Sequence, residues 1–319
     1  MKLIRTLGLA AFTALATVGS GITHAQQQFV TVLTGGTSGV YYPLGVALSK
    51  VYGDALPSAR VSVQSTKASA ENLNLLQAGR GEVAFALGDS VSAAWNGVEE
   101  AGFKSKLDKL RGLAGIYNNY IQIVAAADSG IRSLADLKGK RVSVGAARSG
   151  TELNARAIFK GAGMSYGDLA KVEYLPFGES VELIKNRQLD ATLQSAGLGV
   201  ASIRDLANAL NITVIPVPAE VVASIGDAAY QPSVIPANTY QGQAEDVPTV
   251  AIRNILVTHA EVPDEVVYAK TKSMFENLDQ LVSAHAAARG IQAEGAADNL
   301  PLPLHPGAER YYREAGLLN

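Results

Sequence analysis

Apolar and polar residues alternate over Phe29-Val-Thr-Val-Leu33, and a helical spacing takes over at Pro43-Leu-Gly-Val-Ala-Leu48. A strand therefore feeds a helix through Thr34-Gly-Gly-Thr-Ser-Gly-Val-Tyr-Tyr-Pro43, a connection with no bulky aliphatic side chain. The same alternation predicts further strands near 59–64, 82–87, 121–126, 141–145, 172–175, 190–193 and 213–217. Helices are predicted near 43–52, 69–78, 89–96, 133–137, 150–161, 179–186 and 199–209, with a mainly helical tail near 263–288 and 306–314. Strands alternating with helices point to an α/β protein with largely parallel sheets.

Leu73-Asn-Leu-Leu-Gln-Ala-Gly-Arg-Gly-Glu-Val-Ala-Phe-Ala86 is echoed by Val181-Glu-Leu-Ile-Lys-Asn-Arg-Gln-Leu-Asp-Ala-Thr-Leu193, each a helix, a turn and a small-residue strand. Two such units suggest two similarly built lobes. Crossings at 118–121 and 214–218 would make one lobe from 26–118 plus 219–319 and the other from 119–218. Ligands of open α/β sheets bind beyond the carboxyl ends of strands, so the loops after 33, 64, 87, 145 and 193 are where chemistry is expected.

In the first of these loops Gly35, Gly36 and Gly39 permit positive φ, Thr37 adds a hydroxyl, and Tyr41 and Tyr42 offer flat walls. It reads either as a tight turn or as a cradle of backbone N–H groups for an anion. In Gln64-Ser-Thr-Lys-Ala-Ser-Ala-Glu-Asn72, Ser69 suits an N-cap, while Lys67 and Asn72 could reach a cleft as cation and amide donor. Asp89 would cap the next helix or receive a ligand cation. Gly145-Ala-Ala-Arg-Ser-Gly-Thr-Glu152 repeats the opening design: Ser149 and Glu152 fit a capping box, while Gly150 and Thr151 leave donors for a carboxylate. Tyr117 and Gln194 end or follow strands that face the same gap.

Lys2 and Arg5 precede an apolar run from Leu7 to Val18, and small residues lead to Ala25. This reads as a cleavable secretory signal over 1–25, since the run falls short of the ~18 residues a spanning helix needs. Periplasmic localisation follows. The chain of 319 residues has no cysteine and a formal charge of −2, which becomes −4 without the signal. Thiol chemistry and disulfides are excluded, and no basic field exists for nucleic acid.

Catalytic signatures are absent: no phosphate-binding P-loop, no H-E-x-x-H, no nucleophile elbow and no complete dinucleotide fingerprint. His259, His285 and His305 lack ligand-like spacing and read as surface or turn histidines, and no metal or cofactor is expected. A secreted hydrolase or transferase using the cleft, or a surface protein without a small ligand, are the rival readings.

Thr34–Pro43, Ser69-Ala-Glu-Asn72, Asp136-Leu-Lys-Gly-Lys-Arg-Val-Ser-Val144, Ser149-Gly-Thr151 and Pro303-Leu-His-Pro-Gly-Ala-Glu-Arg-Tyr-Tyr-Arg-Glu-Ala-Gly316 together resemble the TAXI group of solute receptors. The resemblance implies a type II periplasmic-binding-protein fold with the ligand cleft between two hinged lobes. It implies a non-enzymatic receptor, expected as a monomer, that delivers a small organic anion to the membrane permease of a tripartite ATP-independent (TRAP) transporter. Glutamate or 2-oxoglutarate, both dicarboxylates, are the ligands it suggests. Thr37 and Tyr42, Ser69 and Asn72, and Ser149 to Thr151 match its ligand-contacting motifs, with Tyr117 and Asp89 at further cleft positions. The chain departs from the pattern at Lys67 and Ala68, where two glycines are common, and at Arg148, where a small residue or proline is usual. Two added cations suggest a ligand with two carboxylates, or solvated lip residues.

Overall fold

The computed structural model describes residues 28–318, so the expected signal segment lies outside the described residues. The observed architecture is α/β, with ten strands in one sheet whose main path runs β2-β1-β3-β10-β4-β7-β5-β6. On one side β1 (Gln28–Leu33) pairs in parallel with β2 (Ala59–Gln64) and β3 (Val83–Leu87). On the other, β5 (Arg141–Ser143) pairs in parallel with β6 (Lys171–Glu173) and β7 (Ala191–Ala196). Val83-Ala-Phe-Ala-Leu87 is apolar and buried throughout, as suits a strand covered on both faces, whereas β2 alternates between half-buried and exposed because it lies at the edge.

Two long strands join the parallel groups: β4 (Leu110–Ala126) and β10 (Val247–His259), antiparallel to each other and to their neighbours. The expected largely parallel sheet is thus parallel only within each group. β4 runs without a break through the expected crossing at 118–121. The 214–218 run begins in β8 (Ile212–Ile215), which pairs with β4, and it is β10 that spans both groups. Val222, Tyr230, Val250 and Ile252 pack in one core cluster with Ile158, Val142 and Leu193 of the β5–β7 side. The strip around 219–252 therefore packs with the second group of strands.

Helices start at the strand ends that face the junction. They are α1 (Tyr41–Ala55), α2 (Ser69–Gln77), α3 (Gly88–Asn96), α4 (Gly150–Gly161), α5 (Phe177–Lys185) and α6 (Ala201–Ala209). α1 begins two residues before the predicted start, which puts Pro43 inside the first turn, where its missing N–H costs nothing. α7 (Ala219–Ile225) and β9 (Gln231–Ile235) follow β8, and α8 (Asp264–Glu276), α9 (Leu278–Ala284) and α10 (Pro306–Glu314) close the chain. His305, expected at the surface or in a turn, is 1% exposed and accepts the Gly307 N–H through Nδ1 at the start of α10. Among the described residues no helix is long and apolar enough to cross a membrane.

Candidate functional site

The starts of α1, α2, α4 and α5 surround a cavity of about 420 Å³, within the size range of small-molecule sites. It opens between the two strand groups, above the middle of β4. Of the residues expected to bind ligand, Gly36, Thr37, Lys67, Ser69, Ser149, Gly150 and Thr151 line it.

The framework is built from polar side chains that face inward. Asn72 is fully buried; its Nδ2 donates to the carbonyls of Thr34 (2.7 Å) and Phe85 (2.9 Å), and the Thr66 hydroxyl donates to its Oδ1 (2.7 Å). Asn72 thus ties together the ends of β1, β2 and β3 and stands behind the cavity wall. Ser69 was expected as an N-cap. It is instead the first helical residue, and its buried hydroxyl accepts the Leu87 N–H at 3.1 Å. The Tyr41 hydroxyl donates to Asn254 Oδ1, and Asn254 Nδ2 donates to Asn119 Oδ1 (2.8 Å), whose own Nδ2 donates to the Ser195 carbonyl (2.9 Å). This buried polar chain runs from α1 across β10 and β4 to β7. Burial pushes the Tyr41 phenol far above its ordinary value, so it stays a neutral donor.

Five predicted site residues lie outside the lining. Tyr42 is half-buried beside Tyr41, which takes the wall position and stacks on Phe85 at 5.0 Å. Tyr117 is 3% exposed in the core. Gln194 accepts the Ser202 hydroxyl at 2.6 Å behind β7. Asp89 is buried, and its Oδ2 accepts from the Tyr230 hydroxyl (2.7 Å) and Asn154 Nδ2 (2.7 Å). Arg148 is exposed at the turn before α4. Asn72 makes a sixth, for the reason given above. Side chains able to bind a ligand are equally able to bind the rest of the protein: backbone carbonyls hold Asn72, and other side chains hold Asp89 and Gln194.

The lining also contains Tyr41, one of the two tyrosines expected as walls, and residues that sequence reasoning missed: Asn119, Phe177, Glu179 and Ser195. Pro176-Phe-Gly-Glu179 repeats the strand, short turn and helix start of the other loops, and that repetition was a usable signal. Asn119 and Ser195 lie within strands and carried none. The Gly178 N–H donates to the Ser38 hydroxyl at 3.1 Å, so the opening loop caps α5 from the opposite side of the cavity.

The expected positive φ at Gly35, Gly36 and Gly39 is not found; the left-handed positions at the site are Ala68 (φ 67°), Gly145 (φ 90°) and Arg148 (φ 62°). Two of the three departures from the resembled pattern, Ala68 and Arg148, thus fall where the backbone favours glycine, and Lys67 does not. Ala68, with ψ −147°, occupies a region that costs an L-residue roughly 1–3 kcal/mol. Ala68→Gly is expected to raise stability by about 1 kcal/mol after the unfolded-chain entropy of glycine, ~0.4–1 kcal/mol, is set against that strain. Urea unfolding measures it, and a variant no more stable than the parent would refute the strain.

The cavity presents free backbone amides on one side and a carbon wall on the other. The amides of Ser69, Ala70, Gly150 and Thr151 find no acceptor among the described residues, and two helix dipoles add partial positive charge beside them. Ser149 accepts the Glu152 N–H at 3.1 Å, whereas Glu152 turns its carboxylate to Arg156 Nε (2.6 Å), so only half of the expected capping box forms. Leu87, Tyr41 and Phe177 supply apolar surface. Lys67 and Glu179, both exposed, are the charged residues of the lining. Among the described residues no group of three or more His, Cys, Asp or Glu side chains could hold a metal ion.

Solved structures share this architecture at low identity. PhnD1 from Prochlorococcus marinus, in complex with methylphosphonate, is 12% identical and aligns over 92% of this chain and 100% of its own, with a TM-score of 0.59. A binding-protein component of an ABC phosphonate transporter from Pseudomonas aeruginosa is 11% identical over 83% of this chain and 80% of its own, with a TM-score of 0.53. The expected periplasmic-binding-protein fold is therefore the fold found. The profile of the NMT1-like family matches residues 32–316, nearly all of the described chain, and the protein belongs to that family.

Proposed function

We propose that this chain is an extracytoplasmic solute receptor that captures a small organic anion by closing two lobes around it, without chemistry. The observation that carries the reading is the cavity at the meeting of four helix starts, where unpaired amides of α2 and α4 approach from opposite strand groups. The lobes divide where β4 and β10 cross, near Asn119 and Asn254, so that 219–250 goes with the second lobe. Closure is a population shift about those two strands.

The ligand is an organic acid with one carboxylate at the α2 and α4 starts, its carbon body against Phe177 and Leu87, and a second acidic group within reach of Lys67. Because Asp89 is directed away from the cavity, no buried carboxylate awaits an amino group, which favours 2-oxoglutarate over glutamate. The motif resemblance supports a TAXI-type receptor that works in the periplasm and hands this ligand to a TRAP permease in the membrane. A hydrolase would need a nucleophile beside a base, and the lining residues supply neither a histidine nor a paired carboxylate.

Thermal unfolding with 2-oxoglutarate, glutamate, succinate, pyruvate and methylphosphonate tests the proposal. A true ligand at 100 times its dissociation constant adds about 2.7 kcal/mol of stability. 2-Oxoglutarate is expected to give the largest shift. A shift by methylphosphonate alone would replace the dicarboxylate with a phosphonate, and no shift with any member would remove the receptor reading.

A further inference from the structure

Asp89 opens α3 on the β1–β3 side, while its partners Asn154, on α4, and Tyr230, ahead of β9, belong to the β5–β7 side. The three form a closed triangle: Asn154 Nδ2 donates to Asp89 Oδ2 (2.7 Å) and to the Tyr230 oxygen (2.9 Å), and the Tyr230 hydroxyl donates to Asp89 Oδ2 (2.7 Å). The junction lies outside the cavity lining and is sealed; Asp89 is 7% exposed, Tyr230 6% and Asn154 0%. Its hydrogen bonding is incomplete in one telling way. Asp89 Oδ1 and Asn154 Oδ1 are both buried acceptors without a donor. Two buried acceptors on hydrogen-bonded neighbours are thus left without a donor, and protonation of the carboxylate would add one.

We propose that Asp89 is a proton-binding site at the lobe junction, so that uptake of one proton favours the closed form. This rests on the two-lobe closure proposed above. In the closed form the carboxylate has lost water and gained no cation; the ionisable groups facing it are Tyr230, Asp227 and Tyr41, none of them positive. Burial is the main cause that lifts its pKa to about 6, against which the Tyr230 hydrogen bond works. Opening parts Asp89 from Asn154 and Tyr230 and returns it to water, where its pKa falls to the ordinary 3.8. The closed form therefore holds a proton below about pH 6 that the open form releases, and closure weakens as pH rises through that value. With those two pKa values, the closed-to-open ratio is about tenfold higher at pH 5.0 than at pH 7.5.

The chain has no cysteine, so Lys104→Cys and Lys160→Cys, exposed positions on opposite sides, accept a pair of spin labels cleanly. Distances between the labels, measured without ligand at pH 5.0 and 7.5, read closure directly. The parent is expected to shift toward the short distance in acid. Asp89→Asn, which carries the missing donor permanently, should show the acid-like distribution at both pH values. Asn154→Leu, which removes the partner, should show the more open one at both. A parent distribution that ignores pH, or an Asp89→Asn variant that keeps the parent's pH response, would overturn the proposal. Closure driven by added sodium at constant pH would assign the orphan oxygens to a cation and overturn it too. Failure of every acid in the ligand screen would sink the receptor reading while leaving this distance measurement decisive.

Discussion

Gly150→Ala is expected to weaken ligand binding at least tenfold while leaving the fold in place. A Cβ at Gly150 would lie 2.5 Å from Ser69 Oγ and 2.7 Å from Leu87 Cδ1. Neither neighbour can yield: Ser69 is fully buried with its hydroxyl held by the Leu87 amide, and Leu87 is 2% exposed. Gly150 is not in the left-handed region, so alanine strains no backbone torsion there. The conflict arises only when the starts of α2 and α4 meet, and it is relieved by keeping the two sides apart. Overpacking of this kind costs about 1–3 kcal/mol, and 1.4 kcal/mol is tenfold in affinity. Titration calorimetry beside thermal unfolding separates the two effects. Gly36→Ala is the control, because its Cβ would meet nothing within 4 Å although Gly36 lines the same cavity. Equal affinities for parent and Gly150→Ala would mean that the ligand does not draw α2 and α4 together.

Asn72→Ala is expected to unfold more easily, by roughly 2–4 kcal/mol, and to lose binding as a consequence. The substitution removes hydrogen bonds to two backbone carbonyls and one hydroxyl, leaving the Phe85 carbonyl buried without its donor. Each orphaned buried group costs about 1–3 kcal/mol, set against a total stability of roughly 5–15 kcal/mol. Asn72→Asp should be nearly as damaging despite its identical shape, since a carboxylate cannot donate to two carbonyls. Urea unfolding measures both variants. Parent-like stability with lost affinity would instead return Asn72 to the ligand-contacting role that its position after Ser69 suggests.

The elements legible in the sequence are those whose cause is local. Phe29–Leu33 into α1, Ala59–Gln64 into α2 and the apolar run ending at Leu87 into α3 were each visible as a change of hydrophobic period, and the strand order followed no such signal. β9 and β10 went unread for physical reasons. Pro232 and Pro248 mark them as non-strand, and Arg253-Asn254 breaks the apolar run in the middle of β10. Those same residues are explained by distant partners: the Arg253 guanidinium donates to the Gly295 and Asp298 carbonyls, and Asn254 carries the polar chain beneath the cavity.

The candidate site divides along the same line. Local pattern alone marked Thr37, Ser69 and the Ser149 to Thr151 turn, because loops that join strand ends to helix starts must carry free amides whatever surrounds them. Pattern could not say that Asn72, Asp89, Tyr117 and Gln194 turn inward, nor that Phe177, Asn119 and Ser195 come to the cavity. Those outcomes depend on contacts such as Ser38 with Gly178 and Tyr41 with Asn254, separated by 140 and 213 residues. A side chain's chemistry is written at its own position, but whether it meets ligand, backbone or core is set by which remote segment packs against it.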